Sequence, residues 1–270
     1  NLNESIKEIK YLIELYPNDP ILFNIAGACH AGLGELQKAV ESYQQAILLK
    51  PDFADFHYNL GNTLKEIGHF KEAVKSYKNV LKILPDNYSA LFNLGASYQE
   101  LEKLDDAAEA YEKSIKSEPN KIEAKINLGF VCHKMDQLDD AIFQYEQVLM
   151  IDPENIEALN NLGVIYRELD QIDESINFYK KALLSNPKYS QAYYNLGFAY
   201  QDLGQVAKAI FHYERSIEQG NHSWSFHNLS YLKEFRDRLH FLCNTFDAPK
   251  FTIQQDVINQ YNRKRVINQI

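Results

Sequence analysis

A row of asparagines is the feature of this sequence best suited to chemistry. The triplet Asn-Leu-Gly recurs every 34 residues, and its asparagines are Asn59, Asn93, Asn127, Asn161 and Asn195. A side-chain amide offers one acceptor and two donors, so it can pair with both the N–H and the C=O of one peptide unit. A row of such amides on one face holds an extended backbone without reading its side chains. The spacing therefore indicates a binding function.

Two other residue patterns resemble catalytic or metal-binding groups. The acidic pairs Asp105-Asp106 and Asp139-Asp140 fall at the start of predicted helices, where carboxylates stabilise the positive helix end. Cys29-His30 and Cys132-His133 are neighbours in sequence, so their side chains point in different directions on a helix. Neither pattern forms a catalytic triad or a zinc site. The sequence predicts a protein that is not an enzyme and that has no cofactor or metal site.

The asparagines belong to a 34-residue unit that is copied six times, beginning at Pro20, Ala54, Tyr88, Ile122, Ile156 and Ser190. Position 8 of each unit is glycine, position 20 is alanine or serine, position 24 is tyrosine, and position 32 is proline in the first five. Apolar residues at positions 4, 7, 8 and 11, and at 20, 24, 27 and 28, follow a helical period. Each unit therefore predicts a helix A, a turn, a helix B and a proline-marked link. The tyrosine is predicted to fill the space between neighbouring units.

The glycine, alanine, aromatic and proline at these spacings resemble the tetratricopeptide repeat (TPR) over residues 20–223. The resemblance implies an all-α fold, a right-handed superhelical α-solenoid of stacked helix hairpins in which helix A lines a concave groove. It also implies that the groove binds a protein or an extended peptide. The asparagine row is similar to that in the TPR superhelix of O-GlcNAc transferase, where such residues hold peptide backbone. The first unit departs from the row, because Ile25 occupies position 6.

The repeat pattern also predicts the division of the chain. Residues 1–19 are expected to form the helix B of an incomplete repeat, and six repeats follow at 20–53, 54–87, 88–121, 122–155, 156–189 and 190–223. Residues 224–246 are expected to form a capping helix, since terminal repeats need a different outer face. Residues 247–270 are expected to form a last helix or a linker to a further domain.

Helical geometry places position 6 roughly 150° around helix A from the side that packs on helix B. Positions 5 and 9 lie nearby and supply the predicted peptide-binding residues Tyr58, Asn62, Phe92, Phe130, Tyr194 and Phe198. Position 12 adds Lys65 and Arg167, which can meet an acidic side chain. Structural alternatives remain open for all of them. The aromatics can pack on the next helix A, the charges can be solvated, and the asparagines can bond a neighbouring helix.

Composition limits the class of partner and the compartment. The net charge of −9 disfavours nucleic-acid and anionic-membrane surfaces, and no apolar run is long enough to span a bilayer. The cysteines are odd in number and lack metal-ligand spacing, which is typical of a reducing compartment and predicts a cytoplasmic protein.

Two alternatives to a free-standing scaffold follow from the ends of the chain. The chain can be the substrate-recruiting arm of a longer enzyme, such as a glycosyltransferase or a sulfotransferase, whose reading frame would then contain a catalytic domain. It can also self-associate through its first helix, because the apolar side formed by Ile6, Ile9 and Ile13 is predicted to lack a partner.

Overall fold

A computed structural model describes residues 2–220 and 223–246 of the chain, and these residues form fourteen helices and no strand. The prediction of an all-α solenoid is confirmed. The helices are α1 Leu2–Leu15, α2 Pro20–Gly32, α3 Leu36–Leu49, α4 Ala54–Ile67, α5 Phe70–Ile83, α6 Tyr88–Glu100, α7 Leu104–Ser117, α8 Ile122–Lys134, α9 Leu138–Ile151, α10 Ile156–Glu168, α11 Ile172–Ser185, α12 Ser190–Asp202, α13 Val206–Glu218 and α14 Ser223–Phe246. The segment 247–270 lies outside the described residues.

The helices divide into two compact units, residues 1–151 with α1–α9 and residues 152–270 with α10–α14. Even-numbered helices from α2 to α12 are the A helices of the repeats, and the odd-numbered helix after each is its B helix. Within each unit, every helix packs on the helices before and after it in sequence. The core of each unit is therefore a row of similar hairpin contacts.

A glycine and a tyrosine bring the two helices of each hairpin together. An added Cβ would lie 2.6 Å from Tyr43 Cε1 at Gly27 and 2.8 Å from Tyr77 Cε1 at Gly61, so only glycine leaves room for the ring. The same pairing recurs in all six hairpins. Each ring packs on the glycine of its own hairpin, and Tyr179 also shares a hydrophobic cluster with Leu196 and Ala199 of the next repeat. Burial raises the pKa of the Tyr43, Tyr77, Tyr111 and Tyr179 hydroxyls, and that of Tyr179 is raised to about 12.

The turn between helices A and B contains a residue in the left-handed region at position 15. Gly34, Gly68 and Gly204 occupy it with φ of 75°, 88° and 69°. In the other three hairpins the residues are Glu102, Asp136 and Asp170, with φ of 56°, 60° and 62°. Each B helix from α3 to α11 ends two residues before its proline, as predicted for a residue that cannot continue the ladder of hydrogen bonds.

The first unit begins and the second unit ends with a single helix that packs on the neighbouring hairpin. Ile6 and Ile9 of α1 are buried against Ala26 and Cys29 of α2, and Ile13 packs beside them. The apolar side of α1 thus has a partner, contrary to the sequence prediction. At the other end, α14 contributes Leu229 and Leu232 to the core formed with α11–α13.

Candidate functional site

The residues at positions 2, 6, 9 and 13 of each A helix form one stripe, because they are spaced i, i+4, i+7 and i+11. We call this the asparagine stripe. It comprises Asp55, Asn59, Asn62 and Glu66 on α4; Ser89, Asn93, Ala96 and Glu100 on α6; Glu123, Asn127, Phe130 and Lys134 on α8; Glu157, Asn161, Val164 and Glu168 on α10; and Gln191, Asn195, Phe198 and Asp202 on α12. Position 6 is half-buried or buried, whereas most residues at positions 2 and 13 are exposed.

Three of the asparagines bond the preceding A helix. Asn59 Nδ2 donates to Asn24 Oδ1 at 2.9 Å, and Asn93 Nδ2 donates to the Tyr58 hydroxyl at 3.1 Å. In the second unit, Asn195 Nδ2 donates to Asn160 Oδ1 at 2.8 Å. Each bond joins position 6 to position 5 of the repeat before it, so these amides link consecutive A helices. A polar side chain at position 5 is therefore the feature of the sequence that could have predicted these bonds between consecutive A helices.

Asn127 lacks such a neighbour, because position 5 of the preceding repeat is Phe92. Its Nδ2 donates instead to the hydroxyl of Tyr111, the position-24 tyrosine of that repeat, at 3.3 Å. The same contact recurs at the end of the stack, where Asn228 Nδ2 donates to the Tyr213 hydroxyl at 3.3 Å. The tyrosine hydroxyl therefore reaches the next repeat.

The asparagines differ in how much of each amide remains open. Asn93 is 9% exposed, and its Oδ1 accepts from Lys65 Nζ at 2.6 Å. Asn195 is 8% exposed, and its Oδ1 accepts from Gln191 Nε2 at 3.3 Å. Asn59 and Asn127 are half-buried, and within the described residues their Oδ1 atoms accept no hydrogen bond. These two open carbonyl oxygens both lie in the first unit.

Asn161 on α10 is half-buried, and its Oδ1 accepts from Asn160 Nδ2 at 3.5 Å. Its neighbour Asn160 is buried and also accepts from Asn195. The three amides therefore form a short network on the stripe of the second unit.

The aromatic residues at position 5 pack on their own hairpin. The Tyr58 ring centroid lies 6.1 Å from that of Tyr77, and the corresponding pairs are Phe92 with Tyr111 at 5.8 Å and Tyr194 with Tyr213 at 5.8 Å. These rings are half-buried, so one edge of each remains at the surface. Phe130 at position 9 is more open, with 37% of its surface exposed and Lys134 Nζ 5.5 Å from its ring centre.

The two cations predicted to meet an acidic side chain are engaged by the chain itself. Lys65 donates to Asn93, and burial lowers the pKa of its ammonium group. Arg167 Nη1 lies 3.3 Å from Asp202 Oδ2, and its guanidinium lies 4.2 Å from the centre of the Phe198 ring. Both charges therefore stabilise contacts between consecutive A helices.

Groups with catalytic or metal-binding chemistry do not converge in the part of the chain that the structure describes. No three of its His, Cys, Asp and Glu side chains are placed to hold a metal ion. Cys132 is buried, which raises the pKa of its thiol to about 11 and leaves it protonated at neutral pH. The acidic pairs lie in the first turns of α7 and α9. None of the described helices is long and apolar enough to cross a membrane.

Sequence models of the tetratricopeptide repeat match most of this chain. Those described as "TPR repeat" match residues 31–68, 61–102 and 131–169, and those described as "Tetratricopeptide repeat" match residues 88–121 and 155–221. Together these ranges span more than half of the chain, which therefore belongs to the tetratricopeptide-repeat family. No curated protein matches the sequence.

Solved structures share the fold at low sequence identity. YrrB, described as a TPR protein with an unusual peptide-binding site, has a TM-score of 0.60 and 24% identity, over 68% of this chain and 95% of its own. MamA has a TM-score of 0.59 and 25% identity, over 61% of this chain and 96% of its own. A chain of the Cut9-Hcn1 complex of APC/C has a TM-score of 0.61 and 16% identity, over 87% of this chain and 46% of its own.

Proposed function

We propose that the protein is a non-catalytic scaffold whose asparagine stripe binds an extended peptide or protein segment. The observation that supports this most directly is the pair of half-buried amides, Asn59 and Asn127, whose carbonyl oxygens accept nothing in the described structure. Each can accept from a backbone N–H, and each keeps one amide hydrogen for a backbone C=O. Exposed Phe130 and the edges of Tyr58 and Phe92 lie beside them for apolar side chains.

The buried asparagines act in a different way in this proposal. Asn93 already uses its oxygen and its nitrogen, so a peptide contact there would first have to break bonds to Lys65 and Tyr58. We propose that Asn93 fixes the spacing of α4 and α6 and so preorganises the open amides of the first unit, and that Asn195 fixes the spacing of α10 and α12 in the second unit. Preorganisation lowers the ordering cost of binding.

Geometry sets the length of the bound segment. Packed helices lie about 8–10 Å apart, so α4 and α8, two repeats apart, present Asn59 and Asn127 at a separation of about 16–20 Å. An extended chain covers this distance with about six residues. Two amide pairs supply on the order of 1–3 kcal/mol net, and the aromatic contacts must supply the rest of a micromolar affinity.

The comparison with YrrB supports the general class of this function, because that TPR protein is described as having a peptide-binding site. At 24% identity, however, the likeness extends only to the fold.

The test is binding to an array of degenerate eight-residue peptides by the native chain and by the double variant Asn59→Ala/Asn127→Ala. We expect the native chain to bind a subset, and the variant to bind that subset roughly 5- to 150-fold more weakly, since two amide pairs are lost. The control is Asn79→Ala/Asn177→Ala, which removes two amides from the B helices α5 and α11 and should bind like the native chain. Equal binding by all three proteins would overturn the proposed role of the stripe, provided that circular dichroism shows equal helix content.

A further inference from the structure

Carboxylates flank the asparagines at both ends of the stripe. Position 2 carries Asp55, Glu123 and Glu157, and position 13 carries Glu66, Glu100, Glu168 and Asp202. Lys134 is the single basic residue at these positions of the A helices α4 to α12. On each A helix, positions 2 and 13 at the two ends of the stripe are thus more acidic than positions 6 and 9 at its centre.

These carboxylates form no ion pairs in the first unit. Asp55, Glu66, Glu100 and Glu123 are exposed, and none of them forms an ion pair with another described residue. Two nearby cations, Lys65 bonded to Asn93 and Lys134 over the Phe130 ring, offset part of their charge. Four carboxylates against two ammonium groups leave the line of asparagines in this unit with a net negative charge beside it.

Helix stability explains only one of the two rows. At position 2 a carboxylate lies in the first turn of helix A, where it stabilises the positive helix end. At position 13 it lies in the last turn, where the helix dipole disfavours a negative charge. Glu100 occupies that unfavourable place with no basic residue in the last turn of α6, whereas Glu66 shares the last turn of α4 with Lys65. A positively charged partner would remove the penalty.

We infer that the segment bound by this face is basic, with lysine or arginine side chains that alternate between the two carboxylate rows. The inference rests on the function proposed above and names the class of its ligand. Positions 2 and 13 lie about 6 Å and 10 Å along the helix axis on either side of position 6. A backbone that follows the line of asparagines sends successive side chains to opposite sides. Long basic side chains can reach each row from there.

The first experiment measures binding of three fluorescent eight-residue peptides to the native chain by anisotropy. The peptides share apolar residues and differ only at four positions, which are all lysine, all glutamine or all glutamate. We expect the lysine peptide to bind about tenfold more tightly than the glutamine peptide, and the glutamate peptide to bind most weakly, since exposed pairs contribute little individually but add over four sites. The preference should shrink at 0.5 M salt, where screening is effective within a few ångströms.

Two charge-matched variants locate the effect. Asp55→Asn/Glu66→Gln/Glu100→Gln/Glu123→Gln neutralises the first-unit rows and should reduce the preference for lysine to about twofold or less. Glu41→Gln/Glu72→Gln/Glu112→Gln/Glu146→Gln neutralises four exposed carboxylates on the B helices of the same unit and should keep it. The two variants carry the same net charge, so only a local effect separates them.

Each result distinguishes this inference from the function on which it rests. Peptides that bind equally well whatever their charge, or a preference lost equally in both variants, would overturn the inference and leave a peptide-binding stripe. Failure of the native chain to bind any peptide of the array or of this set would overturn both. A tenfold preference that only the A-helix variant abolishes supports both.

Discussion

At position 6, asparagine has a short side chain that combines a hydrogen-bond donor with an acceptor. The bonds from Asn93 to Tyr58 and from Asn195 to Asn160 join polar groups that lie partly or fully out of water. Alanine at either position would leave those groups without a partner, which costs about 1–3 kcal/mol for a buried polar group. The position-6 asparagines therefore differ in their hydrogen bonds, since Asn93 and Asn195 use both the nitrogen and the oxygen of the amide, whereas Asn59 and Asn127 use only the nitrogen within the described residues.

The position-24 tyrosines also differ in the hydrogen bonds of their hydroxyl groups, and two phenylalanine variants test the difference. The Tyr213 hydroxyl donates to Gln201 Oε1 at 2.9 Å, whereas the buried Tyr179 hydroxyl makes no hydrogen bond of normal geometry within the described residues. We expect Tyr213→Phe to lower the free energy of unfolding by about 1–2 kcal/mol, because the hydrogen bonds of its hydroxyl to Gln201 and Asn228 are lost. Tyr179→Phe should be neutral or stabilising by up to about 1 kcal/mol. Urea denaturation of both variants measures the two changes.

The comparison between these variants is internally controlled. Both remove one hydroxyl from a fully buried ring that faces a glycine, so loss of packing is the same in the two cases. A loss of stability for Tyr179→Phe equal to that for Tyr213→Phe would show that the Tyr179 hydroxyl is satisfied, for example by Arg167 or Ser175 nearby.

At the scale of the hairpin, position 15 ends the turn between helices A and B and requires the left-handed conformation. Glu102 adopts it with a φ of 56°, although a side chain with a Cβ is strained there. We expect Glu102→Gly to raise the free energy of unfolding by about 0.5–1 kcal/mol, the relief of strain less the entropy that glycine costs. Thermal or urea unfolding measures the gain.

Gly34→Ala provides the reciprocal measurement in another hairpin. Gly34 has a φ of 75° and nothing within 4 Å of an added Cβ, so the substitution changes conformational strain without a clash. It should lower stability by about 1 kcal/mol. If both substitutions destabilise the protein, backbone strain does not determine the choice of residue at position 15.

The sequence predicts these elements well because each depends on local patterns. The 34-residue period, the apolar stripes and the prolines indicate the number of helices and the ends of the B helices. Position 15 was missed as a special conformation, because glycine occupies it in only three of the six hairpins. The contact of the tyrosine ring with the glycine 16 residues earlier was not predicted, since the notch opened by that glycine becomes visible only when the hairpin closes.

The candidate site is less predictable from sequence than the hairpins are. The stripe follows from the period of helix A, but the state of each amide depends on a side chain 35 residues away or on a tyrosine hydroxyl. The contacts of Lys65 and Arg167 were likewise not predictable from the local sequence. Their sequence positions predict exposed cations, and the contacts to Asn93, Asp202 and Phe198 arise only from the stacking of consecutive A helices.

At the scale of the whole molecule, the stacking of helices on their sequence neighbours makes stability a local property. Helix contacts in each unit join neighbours or next neighbours, as expected for a protein whose stability sums over adjacent repeats. Long-range cooperativity of the kind found in a single globular core is therefore not built into this fold. Damage to one repeat should spread only as far as its neighbours.

Native-state hydrogen exchange of Tyr43→Ala tests this locality. Tyr43 is 4% exposed in α3, and its loss should cost about 3–5 kcal/mol in the hairpin α2–α3. Because an opened end of the stack exposes few contacts of distant repeats, we expect exchange to accelerate by a factor of roughly 100 or more in α1–α4, since each 1.4 kcal/mol is about tenfold. Helices α7–α9 and α10–α13 should keep their protection.

The companion variant Tyr111→Ala, in the middle of the first unit, should instead accelerate exchange on both sides of α7. A uniform rise through α9 in Tyr43→Ala would mean that the first unit opens as one body, and the additive description of its repeats would then have to be abandoned.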